Sequence, residues 1–330
     1  METIRSVQVM GDGAGARFLA KKFTKSPVEN KDPSSASSAK TCMKRCFYSR
    51  CLLFLLFIPL LGCTRIALRL SPSIIDNFAA TAFGECDVPL ARNAIPANLM
   101  LLEGLLKNDP KNSKILTSLA MGFTGYSLLF VEEEDEARAS RLYERARTYG
   151  LQALGDRHLF ESDSGGPEAV EGYSKGMGHE AMEPLFWYTM AWIAWINLNL
   201  DKPIALSHLG ATQRLTERLI MIDESYMHGL PHVIMGTTLA ALPPILGGKP
   251  DQSKEHFEKA LTLSQGRFFL VQYYYARYYA VRVQNRALFM DLIDEIQSGS
   301  PKGLGDVCLI NAVVQQKAQE LREHVDDLFI

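Results

Sequence analysis

The sequence predicts an all-α fold built from repeated helical hairpins. Three observations carry that prediction. Beyond position 63, apolar residues recur at spacings of three and four, the helical period, and runs of alternating polarity are few. Asp109-Pro110, Gly247-Gly248 and Ser298-Gly299 break this pattern into hairpin-sized pieces. The chain also repeats itself: Leu101, Glu103 and Leu105 recur 114 positions on as Leu215, Glu217 and Leu219.

Composition sets the outer limits. The 330 residues are 47% hydrophobic and 22% charged with a net charge of -2, ordinary values for a globular protein. Near-neutral charge argues against a nucleic-acid partner, which calls for a basic face.

Along the chain, residues 1–42 come first and hold a polar tract, SSASS (34–38), of disordered composition. VQVMGDGAGARF (7–18) glances at a dinucleotide-binding glycine loop, with Gly11 and Gly13 in place and Ala at position 16. No strand–helix–strand unit or acidic partner follows, so nucleotide binding is set aside. Residues 43–62 read as a lipoprotein signal. Lys44, Arg45 and Arg50 form its basic region, Leu52 to Leu61 its apolar region, and Leu60-Leu61-Gly62-Cys63 closes it. The apolar run from Cys51 to Cys63 is too short for a membrane span, which needs about 20 residues. The closing tetrapeptide resembles a bacterial lipobox, which implies lipidation of Cys63 and cleavage before it. Because Met43 opens a complete signal, residues 1–42 are expected to be a non-native extension. The working domain is then 63–330, anchored by its lipid to a bacterial membrane.

In that domain, helices are expected at 68–82, 94–107, 113–131, 136–153, 183–198, 204–221, 231–246, 251–264, 268–282, 286–297 and 306–327. Residues 155–182 are glycine-rich and irregular, with a short helix expected near Pro167–Tyr173. The acidic run EEEDEARASR (132–141) begins a helix, where it favours the positive end of the dipole and faces solvent; docking of a basic partner is the alternative. Cys86 and Cys308 stand alone beyond the signal. Two buried thiols are the plainer reading, and a disulfide in an oxidising compartment is the other.

The repeat extends through the turns and packing positions. Asp109 falls on Asp223, Met121-Gly122 on Met235-Gly236, Thr124 on Thr238, Leu128 on Leu242, Tyr143-Glu144 on Phe257-Glu258 and Ala146 on Ala260. The pieces resemble degenerate tetratricopeptide repeats. NDPKNSKILTSLAMGF (108–123) has the turn and a helix with small residues; KPDQSKEHFEKALTLS (249–264) is a matching second helix. The shift is a little over three repeats of about 34 residues. The expected architecture is a TPR-like superhelix of helical hairpins with a concave inner face.

Six segments together resemble one family. They are LARNAIPANLMLLEGLLKNDPKNSKIL (90–116), GYSLLFVE (125–132), EPLFWYTMAWIAWI (183–196), HFEKALTLSQG (256–266), QYYYARYYAVRVQNRALF (272–289) and DDLFI (326–330). They look like the T component of tetratricopeptide-repeat-associated TRAP transporters, the TatT family. The resemblance implies a periplasmic lipoprotein that forms a homotrimer and acts with a TRAP substrate-binding protein in the import of small organic-acid or hydrophobic ligands. The competing reading is a structural scaffold lipoprotein in envelope assembly, with no small ligand.

Two aromatic segments are candidate ligand sites. LFWYTMAWIAWI (185–196) is apolar all round, as buried helices are. Core packing is the plainer reading; alternatively Tyr188, Trp192 and Trp195 line a cavity. In YYYARYYA (273–280), Arg277 sits among tyrosines and stays charged. It pairs internally or stacks on a ring, or else its fork takes a ligand carboxylate, with Tyr274 and Tyr278 shaping the wall. His228 and His232 have the spacing of two helical metal ligands, but Gly229 and Pro231 between them spoil a zinc-protease helix. No G-x-S-x-G motif or distinctive carboxylate pair marks an enzyme, and no cofactor or metal is expected.

Overall fold

The computed structural model describes residues 72–155 and 175–330. The signal segment, Cys63, residues 1–42 and the short helix expected near Pro167–Tyr173 lie outside the described residues. All described residues belong to one compact unit, Gly62–Ile330.

Among the described residues there are thirteen α-helices and no strand, as the helical period requires. They are α1 Pro72–Gly84, α2 Val88–Leu106, α3 Ser113–Tyr126, α4 Glu136–Ala153, α5 Met182–Asn197, α6 Pro203–Ser207, α7 Leu209–Asp223, α8 Tyr226–Ala241, α9 Pro250–Ser264, α10 Phe269–Tyr274, α11 Arg286–Ser298, α12 Cys308–Glu323 and α13 Val325–Leu328. Side-chain caps set several starts. Asp87, Asn112, Asp135 and Asn285 each accept the amide N–H three residues on, at the heads of α2, α3, α4 and α11.

The departures from the expected boundaries have local causes. α2 begins at Val88, not 94, because Asp87 caps it and Pro89 sits in the first turn, where a missing N–H costs nothing. The helix expected at 204–221 is split at His208 into α6 and α7. α8 opens with Met227, His228 and Gly229 in left-handed geometry (φ 44, 60 and 89), so its regular part starts one residue before the expected 231. The helix expected at 113–131 becomes π-helical over Ser127–Val131, and the one expected at 268–282 does so over Tyr275–Ala280.

The duplicated halves, α2–α3–α4 and α7–α8–α9, pack as tetratricopeptide-like hairpins, α3 on α4 and α8 on α9. Tyr143 and Ala146 in α4, and their counterparts Phe257 and Ala260 in α9, are all fully buried. Two glycines permit close approach. A Cβ on Gly236 would stand 3.1 Å from the Phe257 ring, and one on Gly150 only 2.9 Å from the Tyr188 backbone. One difference separates the halves. Leu215 on α7 is completely buried and α7 packs on α5, whereas its counterpart Leu101 on α2 is 53% exposed.

The array also closes on itself. α12 packs on α10 and α11 and returns to α1, α2 and the first π-helical segment. There Cys308, the first residue of α12, is disulfide-bonded to Cys86 in the α1–α2 turn, with Cα atoms 5.3 Å apart. The plainer expectation of two separate thiols is therefore corrected. A separation of 222 positions hides the pairing from local sequence, and the return of α12 brings it about.

Candidate functional site

Both π-helical segments lead to one polar centre. A π turn carries an extra residue, shifts the register of side chains after it, and is often found at functional sites. The first segment ends at Glu132, whose backbone N–H bonds the Ser127 carbonyl. The Tyr143 hydroxyl, on fully buried α4 surface, donates to Glu132 Oε2. Burial pushes the Glu132 carboxyl above its ordinary range, against the pull of Tyr143, Lys317 and Arg277. Glu133 behaves oppositely. Burial works to raise it, but the Lys317 ammonium and the Arg277 guanidinium outweigh burial and hold it low. Lys317 Nζ, on α12, lies 2.7 Å from Glu133 Oε2, and Arg277 Nη1 lies 3.2 Å from Oε1.

Arg277, from the second π-helical segment, also donates Nη1 to the Tyr273 hydroxyl at 2.8 Å and lies 5.9 Å from the Tyr273 and Tyr278 ring centres. Its Nη2 and Nε groups make no hydrogen bond to a described residue. Tyr274 and Tyr278 meet edge to face at 5.4 Å, and burial raises both hydroxyls, so they remain neutral donors. The centre thus joins α4, α12 and both π-helical segments, with two cations sharing one ionised carboxylate.

The tryptophan face is built differently. Tyr188 lies against Gly150 of α4, almost fully buried. Trp192 donates Nε1 to His208 Nδ1 at 3.1 Å, and Trp195 donates Nε1 to Glu144 Oε1 at 3.0 Å. Arg147 lies over both indoles, at 5.2 and 5.9 Å. Burial and Arg147 lower the His208 pKa, which keeps the ring neutral and able to accept. Tyr274, Arg277 and Tyr278 therefore gather around Glu132 and Glu133, whereas Trp192 and Trp195 meet α4 through Glu144 and Arg147. Elsewhere, a narrow apolar cleft of about 80 Å³ opens between α1, α2 and α3, lined by Phe78, Leu99, Leu102, Met121, Tyr126 and Leu129.

Residues 84–329 match the family described as the TRAP transporter T-component. The chain belongs to this family. It is also 22% identical, over 276 residues, to an uncharacterized protein of Treponema pallidum (strain Nichols), covering 77% of this chain and 84% of that one. The TRAP T-component is a transport accessory family, and membership implies a periplasmic, membrane-associated location.

Two sequence expectations meet the T-component's geometry here. His228 and His232 turn to different partners: His228 Nε2 lies 2.9 Å from Asp306 Oδ2, and His232 Nδ1 lies 2.8 Å from His256 Nδ1. The acidic run divides. Asp135 caps α4 and Glu134 pairs with exposed Arg92, as a solvent-facing run would, but Glu132 and Glu133 turn into the polar centre. Glu132, half-buried beneath Tyr143, departs from the solvent-facing expectation, whereas Glu133 stays exposed while its carboxylate meets Lys317 and Arg277. Sequence reasoning missed Glu132, Glu133, Tyr143 and Lys317 as parts of this centre. The repeat alignment had picked out Tyr143 for packing, and nothing local distinguishes Lys317 from a surface lysine.

Proposed function

We propose that this T-component binds a small organic acid or other amphipathic ligand at the Arg277 centre and docks the substrate-binding protein of its TRAP system. The carrying observation is that Arg277 and Lys317 share the single low-pKa carboxylate of Glu133, while Arg277 keeps Nη2 and Nε unused. A guanidinium edge with two adjacent N–H groups fits a carboxylate bidentately. Glu132, held toward its neutral form, adds little opposing charge, and Tyr274 and Tyr278 supply apolar wall with neutral hydroxyls. Trp192, Trp195 and Tyr188 supply a second aromatic surface, which meets α4 at Glu144, Arg147 and Gly150.

In this reading residues 43–62 are removed as a signal, residues 1–42 are not part of the native protein, and lipid on Cys63 anchors domain 63–330. The Cys86–Cys308 disulfide supports an oxidising compartment. Self-association, as a homotrimer, is supported by the bare face of α2. Leu90, Met100 and Leu101 are 55%, 73% and 53% exposed there, and the helix's two charged residues, Arg92 and Glu103, are each paired, with Glu134 and Arg145. Terminal repeats with an apolar outer face need a cover.

Calorimetric titration with a medium-chain carboxylate tests the ligand site. The wild-type protein is expected to bind saturably, and folded Arg277→Ala to lose that binding. Equal affinity in the two proteins removes the proposal.

A further inference from the structure

α7 carries a second cationic site with no part in the centre above. Gly210, Gln213, Arg214, Glu217 and Arg218 follow one another at helical spacing along one side of α7 and, with Lys175, line an open pocket of about 360 Å³. Among the described residues Arg214 has no hydrogen-bond, ion-pair or ring partner, and its Nε is buried. Arg218 gives Nη2 to the Met177 carbonyl, and its Nε is likewise buried and unbonded. A guanidinium cannot shed its charge, so a buried N–H with no acceptor is costly and an incoming oxyanion relieves it.

Packing does not account for these arginines. In the first half of the repeat the same positions are Met100 and Gly104, both exposed on α2. The surface at Gly210 is open: among the described residues a Cβ there would have only Arg214 Nη2 within 4 Å, at 3.7 Å. Among the described residues lining the pocket, Arg214 and Arg218 face the one carboxylate of Glu217, whose Oε1 lies 3.5 Å from Gln213 Nε2. Two guanidinium groups one helical turn apart match an anion that offers oxygens to both.

We propose that this pocket binds a small dianionic oxyacid, a phosphate or a dicarboxylate, bridged between Arg214 and Arg218. The site is independent of the Arg277 reading. The test is calorimetric and thermal titration of the whole protein with inorganic phosphate and, separately, with succinate, each against sodium chloride of equal ionic strength. Saturable binding of either anion is expected, weakened about tenfold or more in Arg214→Gln. Arg214→Gln leaves the Tm of the unliganded protein no lower, because it removes a half-buried guanidinium whose Nε has no acceptor among the described residues. Arg277→Ala keeps the binding. Preference for inorganic phosphate assigns a phosphate group, and preference for succinate assigns a dicarboxylate. The proposal is overturned by no saturable binding of either anion, by an equal effect of chloride, by equal affinity in Arg214→Gln, or by binding of an acidic peptide alone.

Discussion

Breaking the Cys86–Cys308 bond releases the one covalent tie, among the described residues, between the two ends of the array. Cys86→Ser is the cleaner perturbation, since Cys86 is only half-buried whereas Cys308 is 1% exposed and would leave a cavity. The bond spans 222 positions. Because the entropy removed from the unfolded chain grows with the logarithm of loop length, a loop of that size gives about 5 kcal/mol at 25 °C. A denatured chain that is already compact gains less freedom, which brings the expected loss to about 3–5 kcal/mol. The native contacts of α12 with α1 and α2 remain, so the variant still folds. Guanidinium unfolding followed by circular dichroism measures the loss, and a reductant should bring the wild type down to the level of Cys86→Ser. Midpoints unchanged by both the substitution and the reductant would refute the reasoning, and so would a peptide map lacking a Cys86–Cys308 linkage.

Three further outcomes follow from the packing. Phe257→Ala removes a fully buried ring stacked 4.9 Å from Tyr275 and should cost about 3–5 kcal/mol in chemical unfolding. His256 is depressed from 6.5 to about 4 by burial and by His232, with Glu224 and Lys259 completing that cluster. A depressed histidine contributes stability that is present above pH 6.5 and is lost as pH falls toward 4, so Tm should drop over that window and drop less in His256→Gln. Leu101→Glu, at an exposed site, should change monomer stability by no more than about 0.5 kcal/mol yet shift sedimentation toward monomer.

What the sequence made legible was local. The helix expected at 136–153 is α4 to the residue, and 251–264 misses α9 by one, because apolar period and cap are properties of neighbouring residues. The paired packing positions Tyr143 and Phe257 were visible in the repeat alone. The π turns were not: SLLFV and YARYYA read as ordinary helix, since one extra residue per turn leaves no mark in composition. The closure by α12, the disulfide and the Lys317–Glu133 contact depend on residues brought together from distant parts of the chain. Arg277 could be singled out because a cation among tyrosines is conspicuous, but its partner Glu133 lies 144 positions away in the chain.

If this T-component engages the TRAP substrate-binding protein of its own system, as proposed, the two proteins associate in solution. Sedimentation of equimolar mixtures of the purified proteins, with and without a carboxylate ligand, reads that association. The expected result is a complex that sediments faster than either component. Two boundaries at the positions of the separate proteins, at every concentration and with or without ligand, would contradict it.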